Sequence, residues 1–446
     1  MALFDPLFGS AAMLQAFSDR ARIQCMLDFE AALARAEAHC DVIPVAAAEA
    51  IAAKCKSELI DVDGLAKATA DAVNPAIPLV KQLTALVAKD DANAAEFVHW
   101  GATSQDANDT GLVLQMREGF DILETDLRSL RSGLRSLARE HRSTPIAART
   151  LMQQALPTTF GAKVATWLDA INRHSGRMHE VRSRALVLQF GGAAGTLSAL
   201  GKKGLQVAEA LAAELKLSLP ATPWHTQRDR VCEVATGLGL CTGTIGKIAR
   251  DLSLHMQTEI GEVFEPAGEG RGGSSSMPHK RNPVTVVVAL AAATRVPGLV
   301  STMLSAMIQE DERGVGNWHA EWETLPEIFR LTGGALHQMA SIIPRLEVDT
   351  ARMAKNLEAT QGLIFAEAVT VALAAPIGKK AARQLVEVAI AAARESGKHL
   401  LEVLAENPGV TRHLSPAELE RLFDVKSYLG AAETWVDRVL ESTREN

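Results

Sequence analysis

Three separated stretches of the chain place hydroxyl, amide and cationic side chains at predicted helix starts, an arrangement suited to holding an organic anion. The densest runs Gly268-Glu-Gly-Arg-Gly-Gly-Ser-Ser-Ser-Met-Pro-His-Lys-Arg-Asn-Pro283. Its glycines let backbone N–H groups come close to a ligand. Asn282 before Pro283 predicts an N-cap with proline at the first helical position, so Lys280 stands at the head of a helix. An ammonium beside unpaired helix N–H groups favours a bound anion. Ser274, Ser275 and Ser276 add donors and a proton carrier. The spacing Gly268, Gly270, Gly273 also matches GxGxxG, but Glu259–Phe264 reads as helix and Pro266 follows, so no strand precedes it. A Walker A loop is excluded, because no Lys-Ser or Lys-Thr follows the last glycine.

The second stretch is His99-Trp-Gly-Ala-Thr-Ser-Gln-Asp106. Thr103 or Ser104 caps the helix that follows, with Asp106 and Asp109 in its first turns. Two adjacent hydroxyls beside a histidine and a glycine exceed what a cap needs. The third is Arg149-Thr-Leu-Met-Gln-Gln-Ala-Leu-Pro-Thr-Thr159, which ends at another helix start. A fourth, Gln309-Glu-Asp-Glu-Arg313 with Trp318-His-Ala-Glu-Trp322, sets one arginine in an acidic run, usually the mark of a solvated ion pair. Trp224-His-Thr-Gln-Arg-Asp-Arg230 reads as a helix cap with surface charges, and His141 as a surface histidine at a helix end.

The elements that must position these residues are helical. Met26, Phe29, Leu33 and Ala36 recur at helical spacing, as do Leu205, Ala208, Ala212 and Leu215. Long helices are predicted after Ser104, from Pro157 to about Leu186, from Val231 to Gly261 and from Pro283 to Glu310. The last is apolar on nearly all sides at its start (Val284, Val286, Val287, Val288, Leu290), which predicts burial all round. The expected fold is all-α, a central long-helix bundle flanked by two smaller helical domains. Its predicted divisions are residues 1–104, 105–360 with the loop 268–283, and 361–446.

Composition narrows the function. The 446 residues carry 46 Lys plus Arg against 53 Asp plus Glu, a net charge of −7, so no basic surface for nucleic acid is expected. Aromatic residues are 4% of the chain, too few for base-stacking platforms. The five cysteines form no CxxC and no zinc-finger spacing, which points to free thiols. No secretory signal is visible, and the apolar stretch Val284–Thr294 reads as too short for a membrane span. The expectation is a cytoplasmic protein.

Taken together, the stretches resemble the fumarase/aspartase superfamily. Gly273–Pro283 resembles its signature GSSxMPxKxNP, His99–Asp106 resembles HxGxTSxD, and Arg149–Thr159 resembles RTHxQxAxPTT. The resemblance implies a homotetramer with sites shared between subunits, no cofactor and no metal, and a small tricarboxylate as substrate. Two positions depart from the pattern. Lyases of this kind pair the His of RTH with a Glu five residues after the signature Asn; here those positions are Leu151 and Val287. That polar pair serves a leaving group that needs a proton. Its joint replacement fits a carboxylate, whose conjugate acid has a pKa of about 4, and so resembles the lactone-forming branch. The alternative is an adenylosuccinate-type lyase that eliminates fumarate, which Gln227–Arg230 and Asn356–Gly362 resemble. By resemblance, Ser274 transfers the proton, with Lys280 as rival donor. Lys280 and Asn282 bind the charge that develops, and Thr103, Ser104, Gln153 and Arg313 hold substrate carboxylates. His99 and Ser275 line the site, and His141 is an auxiliary.

Overall fold

The computed structural model describes residues 3–266, 268, 272–273, 277 and 279–442. The chain is all-α. Its longest helices are α1 (Asp19–His39), α2 (Ser104–Glu140), α3 (Phe160–Ala185), α4 (Asp229–His255), α5 (Val284–Ser305) and α6 (Asn317–Ile342). It divides into two compact units, one of residues 1–128, 174–246 and 288–338, the other of residues 129–173, 247–287 and 339–446.

The first unit closes around aromatic contacts. Phe17 stacks on Phe329 at 4.7 Å, and Phe120 meets Phe329 edge-on at 5.7 Å. Helix α1 starts where Ser18 accepts from the Ala21 N–H at 3.2 Å. Its predicted stripe Met26, Phe29, Leu33, Ala36 is buried throughout. The same helix also buries Glu30 and Glu37. Neither carboxylate oxygen of Glu37 has a hydrogen-bond partner among the described residues. Burial, reinforced by the Glu30 carboxylate, pushes the Glu37 pKa up to about 9. A carboxyl that titrates near 4.5 unfolded and near 9 folded contributes stability that is full below pH 4.5 and is lost as pH rises through 9. Glu37→Met removes that loss. Chemical unfolding at pH 8 should show the variant more stable than the wild type by about 1–3 kcal/mol, with the gap closing toward pH 5. Equal pH slopes for both proteins would exclude this account.

The second unit holds the C-terminal core, in which Val369, Leu373, Val386, Leu400, Leu404 and Leu419 pack together. It also holds two small antiparallel sheets that helical patterning does not predict. Strands β1 (Pro145–Thr150) and β2 (Gln153–Thr159) form a hairpin, so α3 starts at Phe160 and not at Pro157. Val263–Phe264, which reads as helix in the sequence, is strand β3 and pairs with β4 (Glu347–Val348).

Helix α5 departs from its prediction in two ways. It runs 22 residues at a mean hydropathy of 1.7, long and apolar enough to cross a membrane by length and composition alone. Only 33% of that apolar window is buried: Val286 and Val288 are enclosed, while Val284 and Val287 lie open. One chain covers one face of this helix, which is why burial all round fails here.

Candidate active site

In the first unit the HxGxTSxD stretch is built around one carboxylate. Asp106 is fully buried. It accepts from the backbone N–H groups of Thr103 (3.0 Å), Gly191 (3.0 Å) and Gly192 (2.9 Å) and from the Gln189 amide (3.0 Å). His225 Nε2 lies 3.2 Å away. Two carboxylate oxygens have about four acceptor sites, so Asp106 is saturated and serves as an anchor, not as a base. The anchor needs close backbone approach: Gly192, at φ +68, has its missing Cβ position 3.0 Å from the Gly101 carbonyl.

Thr103 and Ser104 are therefore held at the head of α2 with their hydroxyls partly free. The Thr103 backbone, and not its side chain, is tied into the cap. Arg313 reaches this point from 210 residues away, donating to Thr103 Oγ1 (3.3 Å) and to the Ala193 carbonyl (3.0 Å). Two of its five N–H donors are used so. Ser104 Oγ accepts from Asn74 Nδ2 at 3.0 Å. His99, at φ +60, places Nδ1 2.7 Å from Glu30 Oε1. The structure thus brings Arg313 to Thr103 at the head of α2, next to Ser104, while His99 in the turn before them is tied to Glu30 on α1. Arg313 is no solvated ion pair in an acidic run.

Arg228 corrects a second reading. It is no surface charge: its side chain is wholly buried between Asp109 (2.7 and 3.0 Å) and Glu321 (2.6 to 3.1 Å). Trp318 Nε1 and Gln105 Nε2 complete Asp109, each at 3.0 Å, and Gln309 donates to Glu321 at 2.9 Å.

In the second unit the RTHxQ stretch is the β1–β2 hairpin. Thr150 pairs with Gln153, leaving a two-residue turn of Leu151 (φ +50) and Met152 (φ +68). Left-handed backbone at both positions is the geometry that glycine and asparagine normally supply. Leu151 is 97% exposed, and Gln153 beside it is exposed too. A buried acid holds the turn end of the hairpin through Arg149. Glu262 accepts two bonds from Arg149 (2.8 and 3.0 Å), one from Asn356 (2.8 Å) and one from His255 (2.6 Å). Burial opposes its charge, but these hydrogen bonds outweigh it and pull its pKa down to about 2.

The signature stretch is described in part. Ser274 and Ser275 lie outside the described residues. Lys280 and Asn282 are exposed or half-exposed just before α5. The helix start differs from the prediction. The Thr285 and Val286 N–H groups are not open to an anion, because the buried Glu265 carboxylate accepts from both at 3.0 Å. The protein's own acid thus caps the helix, and Lys280 lies exposed just ahead of it. His141 is no surface histidine either: it is buried, 3.1 Å from Thr144 Oγ1 and edge-on to Phe160, and burial lowers its pKa.

Sequence reasoning missed Glu30 and Arg228 as organisers of the stretches in the first unit, and Glu262 and Glu265 as organisers of those in the second. Only Glu30 left a signal, since it falls inside the apolar stripe of α1, where an acid must have a reason.

Comparison with known proteins gives the relationship. A family model described as Lyase matches residues 9–298, and one described as Adenylosuccinate lyase C-terminus matches residues 362–439. A 3-carboxy-cis,cis-muconate cycloisomerase of Pseudomonas aeruginosa is 57% identical over 98% of this chain and 95% of its own length. The crystal structure of 3-carboxy-cis,cis-muconate lactonizing enzyme from Pseudomonas putida superposes with a TM-score of 0.94 at 53% identity, covering 98% of both chains. That of a fumarate lyase from Mesorhizobium sp. BNC1 does so with a TM-score of 0.90 at 41% identity, covering 98% and 99%. With matches of this length and identity on top of the three motifs, the chain belongs to the lyase family of the fumarase/aspartase superfamily.

Proposed function

We propose that the protein closes 3-carboxy-cis,cis-muconate to a carboxymuconolactone. One substrate carboxylate adds to an alkene carbon of the same molecule. The alkene electrons move into a neighbouring carboxylate, giving an aci-carboxylate. A proton then reaches the α-carbon, so a trianion and one proton become the dianion of a five-membered lactone. The attacking group is already ionised, so the enzyme's tasks are to fold the substrate, stabilise the developing charge and deliver the proton. Ser274 is the proposed donor with Lys280 as rival, and Lys280 and Asn282 hold the aci-carboxylate. Arg313, Thr103, Ser104, Gln153, Ser275 and His99 hold the carboxylates, and His141 assists.

The observation that carries this reading is the apolar pair Leu151 and Val287, set in a chain that otherwise keeps the lyase motifs and matches cycloisomerases over nearly its full length. A leaving amine would need a protonating group at those positions; a carboxylate does not. The match of residues 362–439 to the adenylosuccinate lyase C-terminus keeps fumarate elimination as the competing reading. The proposed assembly is a homotetramer whose sites form where copies meet. It is supported by the open apolar face of α5 and by the exposed turn of Leu151 and Met152.

The test is an assay of both substrates side by side. Purified protein should abolish the diene ultraviolet absorbance of 3-carboxymuconate and release no fumarate from adenylosuccinate. Fumarate release, or an unchanged diene spectrum at high enzyme concentration, would overturn the proposal.

A further inference from the structure

Among the described residues, three histidines pair with a fully buried carboxylate: His99 with Glu30, His225 with Asp106, and His255 with Glu262. The rings of His225 and His255 are only 5% and 6% exposed, whereas that of His99 is 16% exposed. Of the three couples, it is the one open to a ligand. Its partner Glu30 is 1% exposed and sits on helix α1, 69 residues earlier.

The chemistry of the contact fixes the ring. A carboxylate only accepts, so His99 Nδ1 carries the hydrogen in the 2.7 Å bond. Nε2, which has no hydrogen-bond partner among the described residues, then points away from Glu30. His99 needs such a tether, because its backbone is left-handed (φ +60) and no helix or strand supports it. We infer that Glu30 is the positioning residue of His99, holding it as an imidazolium in one orientation so that its Nε2–H donates to a substrate carboxylate. This rests on the proposed function for the identity of the substrate, but not for the geometry.

The electrostatics agree. Burial alone would lower the His99 pKa, yet the Glu30 charge and hydrogen bond, with Asp106 adding, leave it raised. The charged groups that act on the ring are Glu30 on α1 and Asp106 on α2, with His225 3.2 Å beyond Asp106. Asp106 is saturated by its own donors. Glu30 is therefore the group whose removal His99 must feel most.

The experiment compares Glu30→Gln, Glu30→Leu and Glu30→Asp with the wild type. Histidine ring signals are followed by NMR titration, with His99 identified by the signal lost in His99→Asn. In Glu30→Gln and Glu30→Leu the His99 pKa should fall. For Glu30→Leu, kcat/KM on 3-carboxymuconate should drop at least tenfold, with the alkaline limb of its pH profile moved to lower pH. Glu30→Asp, which keeps the charge, should recover part of the loss. A residue needed only for folding would lower thermal stability and leave both the His99 titration and the shape of the pH profile unchanged; that result overturns the inference. The wild type separates the two claims. If it leaves 3-carboxymuconate untouched while His99 still titrates lower in Glu30→Gln, the substrate is wrong and the positioning role stands.

Discussion

Lys280→Met is expected to slow turnover of 3-carboxymuconate by about 10²–10³-fold, the usual consequence of losing one well-aimed partner to developing charge. Far-ultraviolet circular dichroism and the unfolding midpoint should stay as in the wild type, since Lys280 is exposed and belongs to no core. Glu265 sets the size of this effect. Were the first N–H groups of α5 open, they would share the stabilisation of an aci-carboxylate and soften the loss of the ammonium. They are taken by Glu265, so the burden falls on Lys280 and Asn282. Ser274→Ala should cost a similar or larger factor, about 10²–10⁴ if the hydroxyl delivers the proton. The two variants also decide between the rival donors. If serine donates and lysine stabilises its alkoxide, the double variant should be little worse than the worse single, because groups acting as a unit are not additive. If lysine alone donates, Ser274→Ala should be nearly as fast as the wild type. Wild-type rates for Lys280→Met in single-turnover measurements would remove this residue from the mechanism.

What the sequence made legible follows the range of the interactions involved. The long helices were readable because a 3.6-residue period is a local signal, and α1 buries the stripe it was predicted to bury. The HxGxTSxD stretch was readable for the same reason, since a helix start requires a cap at the chain position where it lies. Contacts between distant segments left no such trace. Arg228 looked like surface charge because its partners lie 119 and 93 residues away. The cap of α5 was assigned to Asn282, while Glu265 provides it from 20 residues upstream. The β1–β2 hairpin was illegible because its turn is Leu151–Met152, with no glycine or asparagine to announce left-handed backbone. That mismatch between sequence and conformation sits at the very position that distinguishes this chain from lyases with a polar pair. The turn is kept by what surrounds it, including Arg149 on Glu262, and not by its own preference.

Arg228→Met should destabilise the first unit by about 3–5 kcal/mol, as removal of one member of a buried ion group does. The substitution leaves Asp109 and Glu321 buried without their shared cation. Burial opposes the charge on Arg228, but these two carboxylates hold the guanidinium firmly protonated. The loss is also expected to reach the chemistry. Glu321 accepts from Gln309, at the start of the segment that carries Arg313, and Asp109 accepts from Gln105, next to Ser104. A shift of either partner misplaces the Arg313–Thr103 contact, so kcat/KM should fall even where the variant remains folded. A second variant separates these effects. Arg228→Met combined with Asp109→Asn and Glu321→Gln removes the uncompensated charges and should regain much of the stability, because a neutral buried group costs far less than an unpaired ion. If its activity stays low while its denaturant midpoint recovers, the triad is there to aim Arg313 and Thr103. If activity returns with stability, its role is folding alone. A single variant as stable as the wild type would mean that the two acids find other partners or protons, and would remove the triad from both accounts.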